Sequence, residues 1–326
     1  MSASAVLAIG HHLPPRLVTN DELAGPLGVS ARSLTDATGI ARRFYAASGQ
    51  GPSELAVLAA QAAGIAPREV EFIVFATMSP DVCFPGPGCY LQDKLGCDTV
   101  GALDIRAQCA GFLFALATAD VFVRAGTYQR VLVAAGEVHS AALDYSPRAA
   151  QVTPYFGDGA GVLLLGAAES PGLLATVLHS DPTGLERFWC EFPASRQYPV
   201  RVNMKNFEMG AHYPVLDAAA VHAEAEERLV AVGAEVLGRA AVSPDQIALF
   251  VVHYFAPAPA RRAAERARFP RDRVVIPAES VGHVAAAGIP IALAQAQASK
   301  RIRTGDLVCC LAYGAGMCWG GTVLRV

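Results

Sequence analysis

The 326-residue sequence predicts an α/β architecture made of two similar halves. Three observations predict it. Short apolar runs alternate with Ala-rich helical stretches, the order expected of strands and helices packed in layers. The runs are almost uncharged and continuous, as in sheets covered on both faces. The order of elements up to residue 168 also recurs after residue 169.

In the first half, strands are expected at residues 5–10, 72–77, 101–105, 130–135 and 161–165, with helices at 53–64, 86–95 and 110–125. The last helix begins Ala110-Gly111-Phe112-Leu113-Phe114 and is apolar nearly all round, so it belongs in the interior. The turn Glu169-Ser170-Pro171-Gly172 closes this half and divides the chain into 1–168 and 169–326. In the second half, strands are expected at 174–179, 247–253, 273–276, 307–312 and 321–326, with helices at 218–237, 260–268 and 285–300. The halves correspond. Residues 53–77 run helix, link, strand, as do residues 220–253. Phe156-Gly157-Asp158-Gly159-Ala160-Gly161 leads into one final strand, and Gly316-Met317-Cys318-Trp319-Gly320-Gly321 into the other. Pro257 and Pro259 suit an extended lead-in and a first helical turn.

Composition narrows the function. With 53% hydrophobic and 17% charged residues, the chain can build large cores and is not disordered. Its net charge of −3 gives no nucleic-acid surface. The one basic cluster, Arg261, Arg262, Arg266, Arg268, Arg271 and Arg273, is interleaved with Ala, Glu and Asp. It reads as a solvated helix face, with docking of an acidic carrier as the alternative. The eight cysteines include no Cys-x-x-Cys pair and no zinc-finger spacing, and a chain this long needs no disulfide staples. Residues 1–10 lack the charged and apolar regions of a secretory leader, and no apolar run is long enough to span a bilayer. The expectation is a cytoplasmic protein with no metal, cofactor, nucleic-acid or membrane partner.

One cysteine and two histidines carry the chemistry. In Asp104-Ile105-Arg106-Ala107-Gln108-Cys109-Ala110-Gly111-Phe112 a strand-like run ends, and Cys109 stands at the mouth of the apolar helix. Unpaired N–H groups and aligned dipoles make that end partly positive, which favours a thiolate. A buried core cysteine is the bland alternative. Val251-Val252-His253 ends an apolar strand, and Ser280-Val281-Gly282-His283 marks a turn before a helix. Strand ends are where α/β sheets handle ligands. A thiolate that accepts an acyl group needs an imidazole to move protons and donors for the oxyanion. The turn Tyr313-Gly314-Ala315-Gly316 can supply backbone N–H groups. Together the set suggests thiol acyl transfer. His139, His179, His212 and His222 lie in no motif, and His11-His12 reads as loop. Phe156-Gly157-Asp158-Gly159 lacks the Lys-Ser/Thr of a phosphate loop and reads as a structural turn.

With these residues in place, the chain resembles the thiolase-like condensing enzymes, specifically β-ketoacyl-acyl-carrier-protein synthase III. The resemblance runs nearly full length. Thr38-Gly39-Ile40-Ala41-Arg42-Arg43, Phe84-Pro85, Gln108-Cys109-Ala110-Gly111-Phe112, Phe156-Gly157-Asp158-Gly159-Ala160-Gly161, and Trp319-Gly320 with Leu324-Arg325 all match family motifs. It implies a thiolase-like five-layered αβαβα fold of two pseudo-duplicated halves, working as a homodimer. It also implies that Cys109 takes an acyl group from a thioester of acyl carrier protein or coenzyme A, and that a malonyl-type thioester loses CO2 to attack it. The implied catalytic residues are Cys109, His253 and His283, and the implied oxyanion hole is the backbone N–H of Cys109 and of Ala315. Phe112, Tyr254 and Phe207 are the expected substrate contacts, with core packing as the alternative. Residues 187–210 are expected to form a loop near the substrate entrance.

The departures from the family pattern shape the functional readings. His253-Tyr254-Phe255-Ala256 stands where the family has His-Gln-Ala-Asn, His283 where it has Asn, and Ala315 where it has the central Gly of Gly-Gly-Gly. Ser33 replaces the Trp that stacks on adenine, Ala150 the adenine-flanking Arg (with Arg148 nearby), and Ala258 the carrier-docking Arg. Losing an aromatic platform weakens coenzyme A binding by roughly 1–3 kcal/mol, which favours a carrier-borne donor. His283 can act as a base where Asn cannot. Two active readings follow: decarboxylative condensation in fatty-acid or polyketide biosynthesis, or acyl transfer to a hydroxyl, amine or carrier thiol without decarboxylation. An inactive scaffold subunit is a third, against which the presence of Cys109 and His253 argues.

Overall fold

The computed structural model describes residues 3–197, 199 and 202–326. The first half comprises β1 (Ala3–His12), β2 (Arg16–Thr19), α1 (Asn20–Leu27), α2 (Ala31–Thr38), β3 (Arg42–Tyr45), α3 (Pro52–Ala62), β4 (Phe72–Ala76), α4 (Pro87–Leu95), β5 (Gly101–Ile105), α5 (Gly111–Arg124), β6 (Arg130–Glu137) and β7 (Gly159–Ala168). The second comprises β8 (Leu173–Ser180), β9 (Phe188–Trp189), α6 (Met204–Glu208), β10 (Val215–Leu216), α7 (Ala218–Ala240), β11 (Ile247–His253), α8 (Pro257–Arg266), β12 (Val274–Val275), α9 (Ala278–Val281), α10 (Gly288–Ala298), β13 (Leu307–Gly314) and β14 (Cys318–Arg325).

Two five-stranded sheets repeat each other strand for strand. Their orders are β1-β7-β6-β4-β5 and β8-β14-β13-β11-β12. In the first, β1, β7 and β6 pair antiparallel, and β6, β4 and β5 parallel. The second follows the same pattern, antiparallel from β8 to β13 and parallel from β13 to β12.

The continuous apolar strands bury both faces. In β4, Ile73 and Phe75 face α3 and α4, where Leu55 and Leu91 pack, while Val74 faces the interior. In β11, Phe250 and Val252 pack with Val221 and Leu229 of α7, while Leu249 and Val251 face the same interior. Between the sheets lie α5 and α10, contributing Leu113, Leu116, Ile289 and Leu293. The layers are therefore helices, sheet, helices, sheet, helices: the expected αβαβα fold. Pro257 opens α8 in its first turn, as its fixed φ predicts.

The turn that feeds each central helix is also repeated. Ala107 (φ −130°, ψ 36°) and Val284 (φ −117°, ψ 35°) precede short 3-10 turns that lead into α5 and α10. Gln108 (φ 47°) and Ala285 (φ 34°) both take left-handed backbone, a conformation L-residues seldom adopt. The turns end at Gly111 and Gly288, the first residues of the two helices.

Candidate active site

Cys109 lies in the turn Gln108–Ala110, at the N-terminal mouth of α5. Its Sγ is 3.2 Å from His283 Nε2. Gly314, at the end of β13, passes so close that a Cβ there would stand 2.9 Å from both Cys109 N and Cβ. His253 is the last residue of β11, and its ring lies against Gly288. A Cβ at Gly288 would come within 2.3 Å of His253 Cε1, so the start of α10 must be glycine for that ring to fit. The His253 and His283 rings are nearly parallel, with centroids 5.2 Å apart.

Backbone contacts hold His283. Its N–H donates to the Tyr155 carbonyl (2.7 Å), and its carbonyl accepts from Gly157 N–H (2.9 Å). The Phe156-Gly157-Asp158-Gly159 segment is thus a structural turn, as expected. Asp158 fixes it by accepting from the N–H groups of Ala46, His139 and Ser140 and from Ser140 Oγ.

The electrostatics correct one expectation. Burial, then the Glu137 carboxylate, pushes the Cys109 thiol up to about 12, against the pull of the Cys109 and Ala315 backbone N–H groups. The resting sulfur is a neutral thiol, because dehydration outweighs the helix end. Burial lowers His253 to about 4, with the Ala285 backbone opposing. Burial, then the neighbouring His253 and His139, holds His283 well below its ordinary value. With both partners neutral, one hydrogen bond links Sγ and Nε2, and His283 Nδ1 is buried with no hydrogen-bond partner among the described residues.

Glu137 and His139 are the residues that sequence reasoning missed. The Glu137 carboxylate is fully buried and accepts from Thr77 Oγ1, Ser79 Oγ and Met78 N–H. His139 Nδ1 donates to the Gly157 carbonyl (2.9 Å), and Nε2 sits 3.8 Å from Glu137 Oε2. The His139 ring centroid is 6.3 Å from that of His283. The available signal was position: both residues stand at the end of an apolar strand, the cue that singled out His253.

A cavity of about 330 Å³ opens onto Cys109, His283 and Ala315. Arg106 and Gln108 border it near the nucleophile, and Phe156, Phe188, Trp189 and Phe192 give it an aromatic wall. A larger cavity of about 550 Å³, beside Tyr45 and Tyr145, touches neither the thiol nor its imidazoles. We place the chemistry in the smaller one because the sulfur is there. Ala315 keeps an ordinary backbone while Gly316 takes the left-handed angle (φ 126°), so alanine fits this turn without strain.

The expected substrate contacts are corrected in part. Phe112 is fully buried in the interior layer, and Tyr254 is fully buried with its hydroxyl 2.9 Å from His222 Nδ1. Neither borders the cavity, because helix packing claims the first and the second-sheet core the other. Phe207 packs edge-on against Phe192, one layer behind the wall. Residues 187–210 do reach the cavity through Phe188, Trp189, Cys190, Phe192 and Pro193; Tyr198, Val200 and Arg201 lie outside the described residues. Arg261, Arg262 and Arg266 of α8 pair with Glu279, Glu226 and Glu227, so that half of the basic cluster is a neutralised helix face, while Arg268, Arg271 and Arg273 lie beyond the helix. Ser33 is exposed on α2, and Arg148 pairs with Asp144. Among the described residues no group of His, Cys, Asp or Glu could hold a metal, and no helix is long and apolar enough to cross a membrane.

Comparison with known proteins agrees with this geometry. Residues 103–182 match the family described as 3-oxoacyl-[acyl-carrier-protein (ACP)] synthase III, and residues 237–326 match its C-terminal domain. The chain is 36% identical to β-ketoacyl-[acyl-carrier-protein] synthase III of Rhodobacter capsulatus, over 99% of this chain and 98% of that one. The crystal structure of β-ketoacyl-[acyl carrier protein] synthase III from Thermus thermophilus superposes with a TM-score of 0.88 at 32% identity, covering 99% of both chains. The priming β-ketosynthase of the R1128 polyketide biosynthetic pathway superposes with a TM-score of 0.89 at 27% identity, covering 99% of this chain and 96% of that one.

Proposed function

This chain belongs to the 3-oxoacyl-[acyl-carrier-protein] synthase III family, and we propose that it builds a β-ketoacyl thioester through an acyl-cysteine on Cys109. The observation that carries the reading is the 3.2 Å contact between Cys109 Sγ and His283 Nε2, made at the floor of a cavity bordered by Ala315.

An acyl thioester of acyl carrier protein or coenzyme A enters the cavity. Sγ attacks its carbonyl carbon as the thiol proton passes to His283 Nε2. The oxyanion rests between the N–H groups of Cys109 and Ala315. The carbonyl re-forms, the C–S bond to the donor breaks, and the departing sulfur takes the proton from His283. A malonyl-type thioester follows. Its C–C bond to the carboxylate breaks, CO2 leaves, and His253 and His283, each in the tautomer that carries its proton on the nitrogen facing the cavity, donate to the enolate oxygen. The carbanion attacks the acyl-cysteine carbonyl. The released Cys109 thiolate regains a proton through His283. This chemistry serves fatty-acid or polyketide biosynthesis.

The acyltransferase alternative draws on one observation: an imidazole, able to deprotonate a hydroxyl or amine acceptor, touches the sulfur where an amide could not act as base. Carboxyl-labelled malonyl thioester separates the two. Label released as CO2 in step with chain extension supports condensation. An acyl adduct on Cys109 that discharges to an alcohol or amine with no CO2 release supports the alternative. Cys109→Ala abolishes the adduct under either reading.

The same proposal extends to assembly and location. β5 is an edge strand with Leu103 exposed beside it, and Phe84 is 83% exposed, a combination suited to pairing with a second copy into a homodimer. Sedimentation equilibrium gives the mass. All eight cysteines are free, which supports a reducing, cytoplasmic location. Residues 1–168 and 169–326 each supply one sheet, and we treat them as the two halves of one catalytic unit.

A further inference from the structure

We propose that Arg106 and Gln108 make the cavity selective for acyl thioesters whose acyl chain ends in a carboxylate; this rests on acylation of Cys109 as argued above. Both side chains come from the turn that delivers the nucleophile, and both border its cavity. Neither has a hydrogen-bond or ion-pair partner among the described residues. Arg148, Arg261, Arg262 and Arg266, by contrast, are paired with acids.

Among the described residues no Asp or Glu borders the cavity, and His283 is held neutral. Among the described residues that border the space, Arg106 is therefore the one charged side chain, and none of them neutralises it. Arg106 is exposed and Gln108 half-buried at the rim of the cavity, so a wholly apolar acyl chain gains nothing from the guanidinium and covers part of the Gln108 amide without giving it a partner. A terminal carboxylate matches the guanidinium fork in two parallel hydrogen bonds, and the amide can donate a third. The aromatic wall opposite suits the methylenes between. The left-handed backbone at residue 108 does not call for glutamine, since Ala285 occupies the equivalent position in the second half. At about 330 Å³ the cavity is at the small end of ligand sites, so the acyl chain is short.

An anionic group can also reach Arg106 as the phosphate of the thioester's pantetheine arm, and one experiment distinguishes the two. The full-length chain is incubated with succinyl- and pentanoyl-coenzyme A, and the initial rate of Cys109 acylation is read by intact mass. The expected result is succinylation at least about tenfold faster than pentanoylation, about 1.4 kcal/mol at 25 °C. In Arg106→Gln that ratio collapses toward one, and Arg106→Lys, which keeps the charge, recovers part of it. Gln108→Ala lowers the ratio by a smaller factor. Because the readout is a ratio within one preparation, a partly folded variant does not mimic it. Pentanoyl transfer as fast as succinyl in the unaltered protein overturns the inference. An Arg106→Gln loss equal for both donors also overturns it, and assigns Arg106 to the phosphate. Failure of every thioester to acylate Cys109 refutes the acyl-cysteine mechanism itself, and this inference with it.

Discussion

The neutral state of the Cys109 thiol can be tested by its reaction with iodoacetamide, which consumes only the thiolate. Burial and Glu137 carry the thiol from an ordinary value of 9.0 to about 12. Each pH unit is a factor of ten in ionised fraction. At pH 8 the thiolate is therefore about one part in ten thousand, against roughly one part in ten for an unperturbed thiol. The sign is that of an acid held in its protonated form: reactivity grows as pH rises and does not level off at 9. Alkylation of the Cys109 peptide, followed by mass spectrometry from pH 6 to 10, should rise close to tenfold per unit throughout. Glu137→Gln removes the buried carboxylate that disfavours the thiolate, and should speed alkylation at fixed pH about threefold or more. A plateau below pH 8 indicates a preformed thiolate–imidazolium pair and refutes this account of the resting site. Slower alkylation in Glu137→Gln refutes the role given to that carboxylate.

Three further outcomes are expected. His283→Asn removes the base but keeps a donor, so single-turnover acylation of Cys109 should fall about 100-fold while malonyl decarboxylation falls less; equal losses in both steps contradict the proton path. Gly288→Ala drives a Cβ into the His253 ring and should lower condensation about 100-fold with the far-ultraviolet circular dichroism spectrum unchanged; normal turnover means the ring is not needed where it lies. Arg43 is fully buried and donates to Asn20 Oδ1 and the Pro154 carbonyl. Arg43→Met strands both acceptors and should cost about 3 kcal/mol in urea unfolding, whereas a loss below about 0.5 kcal/mol shows that the pocket re-satisfies itself.

The alternation of continuous apolar strands with Ala-rich helices located every strand of both sheets, because strands covered on two faces have few alternatives in sequence. Gly101–Ile105 and Ile247–His253 were expected at the observed limits. Harder to read were residues 16–45, where two eight-residue helices and a short two-stranded antiparallel ladder are held by tertiary contacts such as Asn20 Nδ2 to the Ile40 carbonyl. Helices that short carry little period of their own. The gathering of Cys109, His253 and His283 was legible from their positions at element ends. Their protonation was not, since it depends on burial and on a carboxylate that approaches from 28 residues away in sequence. Phe112 and Tyr254 misled because a large side chain beside a catalytic residue looks the same in sequence whether it faces a cavity or a core.

The repeated turn has one more consequence. The position that holds Cys109 in the first copy is Ala286 in the second, where its N–H points at Glu137 Oε1 (3.4 Å). Duplication of the scaffold has thus not duplicated the chemistry. One copy carries Cys109 and the other His253 and His283, so under the proposed mechanism a severed half is chemically mute. Under that mechanism a change at residue 283 can retune the reaction while the copy that carries Cys109 stays as it was.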